Sequence, residues 1–195
     1  MAMTWEQLEQ SCEGCTACPL SRTRTKAVIG CGNRQAKLMF VGEAPGEQED
    51  LSGIPFVGKA GQLLDLYLTA VDIDRDAVYI ANILKCRPPH NRDPLPAEED
   101  CCIGYLREQV RLIRPRIIVC LGRIAAMRLI KPDFRISREH GVWFERGDFL
   151  ISAVYHPSLL LRDVSKRGEM LKDMQTVKER LEQCLAADAL LGRAN

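Results

Sequence analysis

The sequence predicts an α/β fold: a three-layer sandwich whose mostly parallel central sheet of about four strands is flanked by helices. Four short apolar runs of strand length, at 37–42, 78–82, 116–121 and 149–155, carry the sheet. Segments with helical apolar spacing alternate with them, the pattern of strand–helix–strand units. At 195 residues, with no internal repeat, low-complexity tract or long linker, the chain is read as one domain over 1–195.

Taken in order, a cysteine-rich start leads into Lys37–Gly42, a short buried strand. The stretch from Glu43 to Gly58 is rich in Gly and Pro and reads as a shaped loop. A helix follows, with Leu63, Leu64, Tyr67, Leu68 and Val71 on one apolar face. Val78–Asn82 is the second strand, and Cys86 to Pro96 a proline-stiffened loop. Pro96 fits the first turn of the next helix, where Ile103, Leu106, Val110 and Ile113 share a face. Arg116–Leu121 is the third strand, with a short helix from about Arg123. Phe149–Tyr155 runs directly into His156-Pro157-Ser158, and Met170, Met174, Val177 and Leu181 mark a terminal amphipathic helix.

This order has a functional consequence. The polar segments at Glu43, Asn82 and His156 each follow the C-terminal end of an expected strand. In open parallel sheets ligands bind in the crevice beyond those ends, so three loops should converge on one pocket.

Composition narrows the classes. Hydrophobic residues make up 46% and charged residues 27%, as in an ordinary globular protein. The net charge of +1 leaves a nucleic-acid partner dependent on a local basic surface. No apolar run approaches the roughly 18 residues of a membrane span. Met1 to Gln10 lacks the basic start and apolar centre of a secretory signal, so a cytoplasmic location is expected.

Nine cysteines are many for this length, and the odd count argues against a fully paired disulfide framework. In a reducing compartment, close-spaced cysteines more often bind metal. Cys12, Cys15 and Cys18 form two overlapping C-x2-C pairs, and Cys86 and Cys102 stand far along the chain. Four thiolates suit tetrahedral zinc or an iron–sulfur cluster, and the spacing leaves both open, as it leaves open the choice of pair. The bland alternative is a set of buried apolar cysteines.

Two further segments carry chemistry. Gly42-Glu-Ala-Pro-Gly-Glu-Gln-Glu-Asp50 and Gly53-Ile-Pro-Phe-Val-Gly-Lys-Ala-Gly61 let backbone amides approach a ligand closely. Their acidic residues argue against a simple phosphate cradle. Phe56, an aromatic among prolines and glycines, is available to stack on a planar ligand, against the alternative of a core plug.

With these residues in view, the chain resembles the family 4 uracil-DNA glycosylases, the iron–sulfur branch of the uracil-DNA glycosylase superfamily. The matching stretches are G-E-A-P-G-E-x-E-D at 42–50, G-x-P-F-V-G-K-A-G at 53–61, N-I-x-K-C-R-P-P at 82–89, N-R at 91–92, H-P-S-x-L-L-R at 156–162 and C-T-A-C at 15–18. They span nearly the whole chain in the family's order, a far more specific signal than any one of them. The resemblance implies a [4Fe–4S] cluster on Cys15, Cys18, Cys86 and Cys102, with Cys12, Cys31 and Cys101 outside the pattern. It implies uracil excision from single- or double-stranded DNA, the opening step of base excision repair, by a monomer.

Acting on a base within a duplex requires flipping it out. The pocket then needs a stacking platform, a reader of the base edge and a stabiliser for the departing uracil anion. Phe56 is the expected platform. Asn82 offers one donor and one acceptor, matching uracil O4 and N3–H and mismatching cytosine. A neutral His156 would donate to uracil O2 as negative charge builds there. Gly42, Glu43 and Ala44 complete the expected substrate contacts. Related branches place Asp or Asn where this chain has Ala44, which cannot activate water, so Glu43 is the expected water- or sugar-positioning group and Asn91 its rival. Lys59, Arg87, Arg92, Ser158 and Arg162 are expected at the DNA, with Leu160 in the loop that wedges into the duplex. One departure is His140-Gly141, where family members often carry Arg-Gly.

Two rival readings accompany this one. A relative that binds uracil-DNA covalently through a histidine would use His90, although the Arg- and His-rich insertion of that branch is missing between Arg87 and Arg92. A redox-sensing iron–sulfur regulator, or a zinc-stabilised DNA-binding protein, would explain the cysteines and leave Phe56, Asn82 and His156 without a role.

Overall fold

The computed structural model describes residues 3–192. The ends of the 1–195 span, including the first two residues of the Met1–Gln10 segment, lie outside the described residues. The helices are α1 (Trp5–Glu13), α2 (Glu47–Ser52), α3 (Lys59–Ala70), α4 (Pro96–Ile113), α5 (Arg123–Leu129), α6 (Ile136–Glu139), α7 (Pro157–Leu160) and α8 (Arg167–Leu190). The strands are β1 (Cys31–Gly32), β2 (Leu38–Gly42), β3 (Tyr79–Asn82), β4 (Ile117–Leu121), β5 (Phe144–Arg146) and β6 (Phe149–Val154).

The four strands expected from sequence are β2, β3, β4 and β6, and they pair in parallel in the order β3-β2-β4-β6. Two short antiparallel strands, β1 against β3 and β5 against β6, extend the sheet to six. Two and three residues long, they are too short to leave a pattern in the sequence. β2, β3 and β4 are buried at every position, as strands covered on both faces must be.

Alternation of side chains sorts the core into two layers. Met39, Val41, Ala81, Ile118, Cys120 and Ala153 face one side, where Ile103 and Leu106 of α4 and Ala125 and Ala126 of α5 close over them. Leu38, Phe40, Ile80, Ile117, Val119 and Val154 face the other, under Leu64 and Leu68 of α3 and Met170, Met174 and Val177 of α8. Pro96 opens α4 as its missing N–H allows. The start of the chain, left without an element by its sequence pattern, forms α1. Its first turn is closed by reciprocal bonds: Gln7 N–H donates to Thr4 Oγ1 (3.3 Å) and Thr4 N–H donates to Gln7 Oε1 (3.0 Å).

The chain passes from β2 to β3 on one side and then crosses to β4 on the other side of β2. That reversal opens a crevice at the C-terminal ends of the strands. The shaped loop expected at 43–58 forms one wall, with α2 inside it.

Candidate active site

A cavity of about 530 Å³ occupies the crevice, lined among others by Glu43, Ala44, Phe56, Asn82, Asn91 and His156. The three strand ends singled out from sequence therefore do converge. A fourth contributes as well: Gly122 and Arg123, after β4, line the same space.

Asn82, the last residue of β3, is 2% exposed, and its Oδ1 has no hydrogen-bond partner among the described residues. A buried amide oxygen without a partner costs on the order of 1–3 kcal/mol, so its placement beside a ligand-sized cavity marks it for a donor that arrives with the ligand. Gly42 permits this placement. A Cβ there would stand 2.3 Å from Asn82 Oδ1 and 2.7 Å from Phe56 Cζ.

Phe56 has φ +56°, a left-handed conformation that costs about 1 kcal/mol or more for a bulky residue. The surroundings impose it. Glu49 Oε1 accepts the backbone N–H groups of Val57 (3.0 Å) and Gly58 (2.9 Å), clasping the loop just beyond the ring. The Phe56 and His156 rings lie 5.8 Å apart and tilted by 35°, and both line the cavity. Glu49 stands within the quoted 42–50 motif, yet nothing in the residue pattern distinguished it from its acidic neighbours.

His156 caps α7. Its Nδ1 accepts the backbone N–H of Ser158 at 3.1 Å and lies 2.8 Å from Ser158 Oγ. A nitrogen that accepts an N–H carries no proton, so the imidazole proton resides on Nε2. Burial, with Arg162 nearby, pushes the pKa of His156 down to about 4 against the opposing pull of Glu49. The ring is therefore neutral at physiological pH and offers an Nε2–H donor. Gly122 makes room for it: φ is +91°, and a Cβ would come within 2.7 Å of His156 Cβ.

Glu43 makes no ion pair among the described residues, and burial, with Asp93 and Glu99, raises its pKa to about 7 despite Arg123. Asn91, its rival, is exposed and accepts from Arg87 Nε at 2.8 Å. Of the cations expected at DNA, Arg92 is held by both oxygens of buried Glu98 (2.6 and 2.9 Å), and Arg87 pairs with Asn91 and Glu47. Lys59 and Arg162 are exposed and form no ion pair among the described residues; Arg162 stands at the cavity rim. Ser158 is spent on His156. Leu160 is a correction: it is fully buried among the residues packed under α8, because α7 turns it inward. The exposed apolar residue of that loop is Leu161.

His140, the departure from Arg-Gly, lies 2.7 Å from Asp173 and 3.1 Å from Glu169 and packs against the Tyr155 ring. It ties α8 behind Tyr155, whose own side reaches the cavity. His90 is exposed and does not line the cavity.

A second, small void gathers Cys12, Cys15, Cys18, Cys86, Cys101 and Cys102. Among the described residues no group of three or more His, Cys, Asp or Glu side chains is arranged as a single-ion site. The donor set nevertheless suits a cluster of anionic sulfurs. Arg24 Nη1 donates to Cys86 Sγ at 3.0 Å, and the Lys85 backbone N–H donates to Cys102 Sγ at 3.2 Å. Such N–H···S bonds stabilise thiolates and tune what they hold. Without that charge, burial pushes the Cys102 thiol up to about 11 although Lys85 opposes it.

The fold and its crevice define an α/β protein with a ligand-sized pocket at the strand ends, and comparison with known families gives its class. Residues 29–182 match the model of the uracil DNA glycosylase superfamily. A type-4 uracil-DNA glycosylase of Archaeoglobus fulgidus is 45% identical over 173 residues, covering 85% of this chain and 87% of its own. A type-4 uracil-DNA glycosylase of Thermotoga maritima is 41% identical, covering 89% and 92%. A type-5 uracil-DNA glycosylase of Pyrobaculum aerophilum is more distant, at 32% over 66% of this chain. The chain belongs to the type-4 uracil-DNA glycosylases.

Proposed function

We propose that the chain is a monofunctional DNA glycosylase that excises uracil from DNA, and that the crevice is where the flipped base is bound. The buried, unpartnered Asn82 amide oxygen, in a cavity that Phe56 and His156 also line, carries this reading. Uracil presents the N3–H that this oxygen lacks, and its O4 accepts from the same amide; cytosine presents the reverse pattern. Phe56 gives the base a face to stack on.

In the reaction the N1–C1′ bond breaks, both its electrons leave with uracil, water adds at C1′, and the proton that the water sheds ends on the uracil anion. The His156 Nε2–H donates to O2 where the leaving anion's charge accumulates, a role for which a neutral ring suffices. An ionised Glu43 stabilises positive charge on the sugar and orients the water. Ala44 cannot share this task. Uracil and an abasic site are the products. Lys59 and Arg162 contact phosphates, and Leu161 fills the space the base vacates.

A [4Fe–4S] cluster on Cys15, Cys18, Cys86 and Cys102 fits the sulfur-lined void and its N–H donors, and would supply rigidity to the segments that join there. No step of the hydrolysis requires an electron. The protein works as a cytoplasmic monomer, a reading that rests on the family resemblance and on cysteine usage suited to a reducing compartment.

The test is a uracil-containing oligonucleotide incubated with iron-loaded protein, analysed for free uracil and by denaturing gel. Free uracil with an unmodified protein band supports hydrolysis. A denaturation-resistant protein–DNA adduct would instead favour the covalent reading.

A further inference from the structure

Lys85 is 1% exposed, one of the largest side chains wholly inside the fold. Burying an ammonium is costly unless it is fully hydrogen-bonded and faces negative charge. Among the described residues no carboxylate pairs with it. Its Nζ donates instead to the Asn82 carbonyl oxygen at 2.8 Å and to Gln109 Oε1 at 2.7 Å. Gln109, 0% exposed, is itself fixed, donating through Nε2 to the Ile29 carbonyl (2.8 Å) and Tyr79 Oη (3.1 Å).

This arrangement bears on the base pocket. Asn82 ends β3, and the next two amides continue the sheet beyond it: Ile83 N–H donates to Gly42 O and Leu84 N–H to Glu43 O, both at 3.0 Å. Lys85 reaches back to the Asn82 carbonyl, closing a turn whose far side carries Cys86. The Asn82 peptide is therefore tied to the sulfur-lined void through Lys85, whose side chain bonds the Asn82 carbonyl and whose backbone N–H bonds Cys102 Sγ at 3.2 Å.

We propose that Lys85 is a positioning residue for the base pocket: its buried side chain, donating to the Asn82 carbonyl and to Gln109, locks the Asn82 peptide so that the Asn82 amide faces the flipped base. Glycosidic chemistry needs no electron from a cluster, and this link gives the cysteine site a mechanical route to the pocket. The inference rests on the uracil-pocket reading above. Removing the ammonium leaves two buried acceptors, Asn82 O and Gln109 Oε1, without a donor.

The test compares wild-type protein with Lys85→Met, Lys85→Gln and Asn82→Ala. It reads iron per chain, hydrogen exchange at the Ile83 and Leu84 amides, and single-turnover excision of uracil. Lys85→Met should keep its iron, exchange both amides at least about tenfold faster, and lose about 10- to 100-fold in excision rate, the usual scale for residues behind a site. Lys85→Gln, which keeps a donor, should recover part of both changes. Wild-type exchange and excision in Lys85→Met would overturn the proposal, and so would loss of iron, which would make Lys85 a residue of the cysteine site alone. If Lys85→Met does not fold, Gln109→Leu removes the other acceptor and carries the same exchange measurement, with wild-type exchange again overturning the proposal. Wild-type excision by Asn82→Ala would sink the pocket reading, while the exchange data would still decide the role of Lys85.

Discussion

His156 Nδ1 accepts the backbone N–H of Ser158 at 3.1 Å, which fixes the imidazole proton on Nε2. One backbone bond thus decides what the ring can do: it donates into the cavity and cannot also serve as a base there. His156→Ala should lower the excision rate by about 10²- to 10³-fold, the scale for one donor aimed at developing negative charge. Iron content and thermal midpoint report that the variant is otherwise intact. The depressed pKa also has a stability consequence. The folded state binds this proton less tightly than the unfolded state, so the contribution of His156 is present above the ordinary value of 6.5 and is lost as pH falls through about 4.

Gly42 and Asn82 supply a second prediction. A Cβ at residue 42 would meet Asn82 Oδ1 at 2.3 Å and the Phe56 ring at 2.7 Å, the two groups proposed to hold the base. Gly42→Ala should therefore lose excision at least about tenfold while keeping its iron. Competition binding to uracil-free duplex should remain at the wild-type level, because the rim cations are untouched.

Glu43 should reveal itself by pH. With a pKa raised to about 7, its ionised fraction grows as pH rises through neutrality, so the excision rate should climb through that region in wild-type protein and not in Glu43→Gln. Stability runs the opposite way. The folded state holds the proton more tightly, so ionisation costs stability as pH rises from the ordinary 4.5 through about 7. Glu43→Gln should be more stable than wild type at pH 8 and equal to it at pH 4, as read by urea midpoints.

The strand ends at Gly42, Asn82 and His156 were legible in the sequence because parallel strands covered on both faces are short continuous apolar runs, and their exits are where glycine, proline and polar residues begin. The exit of β4 follows the same rule at Gly122, but there a lone glycine leads straight into a helix with no loop to mark it. Leu160 failed for a different reason. An apolar run of three, Leu159 to Leu161, contains no sign of which member faces the core; only the turn of α7 places Leu160 inside and Leu161 out. The clasp of Glu49 on the Phe56 loop and the tie from Lys85 to Asn82 join residues through backbone atoms, which side-chain identity does not record.

The leucines give a matched pair of variants. Leu160→Ala should destabilise the fold by about 2–5 kcal/mol, as deletion of a fully buried leucine does. Leu161→Ala should leave the urea midpoint unchanged and weaken productive binding of uracil in duplex DNA more than in single strands, where no stacked space needs filling.

Alanine substitution of Cys15, Cys18, Cys86 or Cys102 should abolish iron binding, measured as iron and sulfide per chain. Cys101, exposed beside Cys102, should be replaceable without loss of iron.

The most direct measurement is excision from an end-labelled oligonucleotide bearing one uracil, with substrate in excess and alkali applied afterwards. Scission at the uracil over many turnovers, absent when thymine or cytosine takes its place and abolished in Asn82→Ala, is the expected result. Iron-loaded wild-type protein that leaves the uracil strand intact, or an Asn82→Ala protein that cuts as well as wild type, would contradict the account.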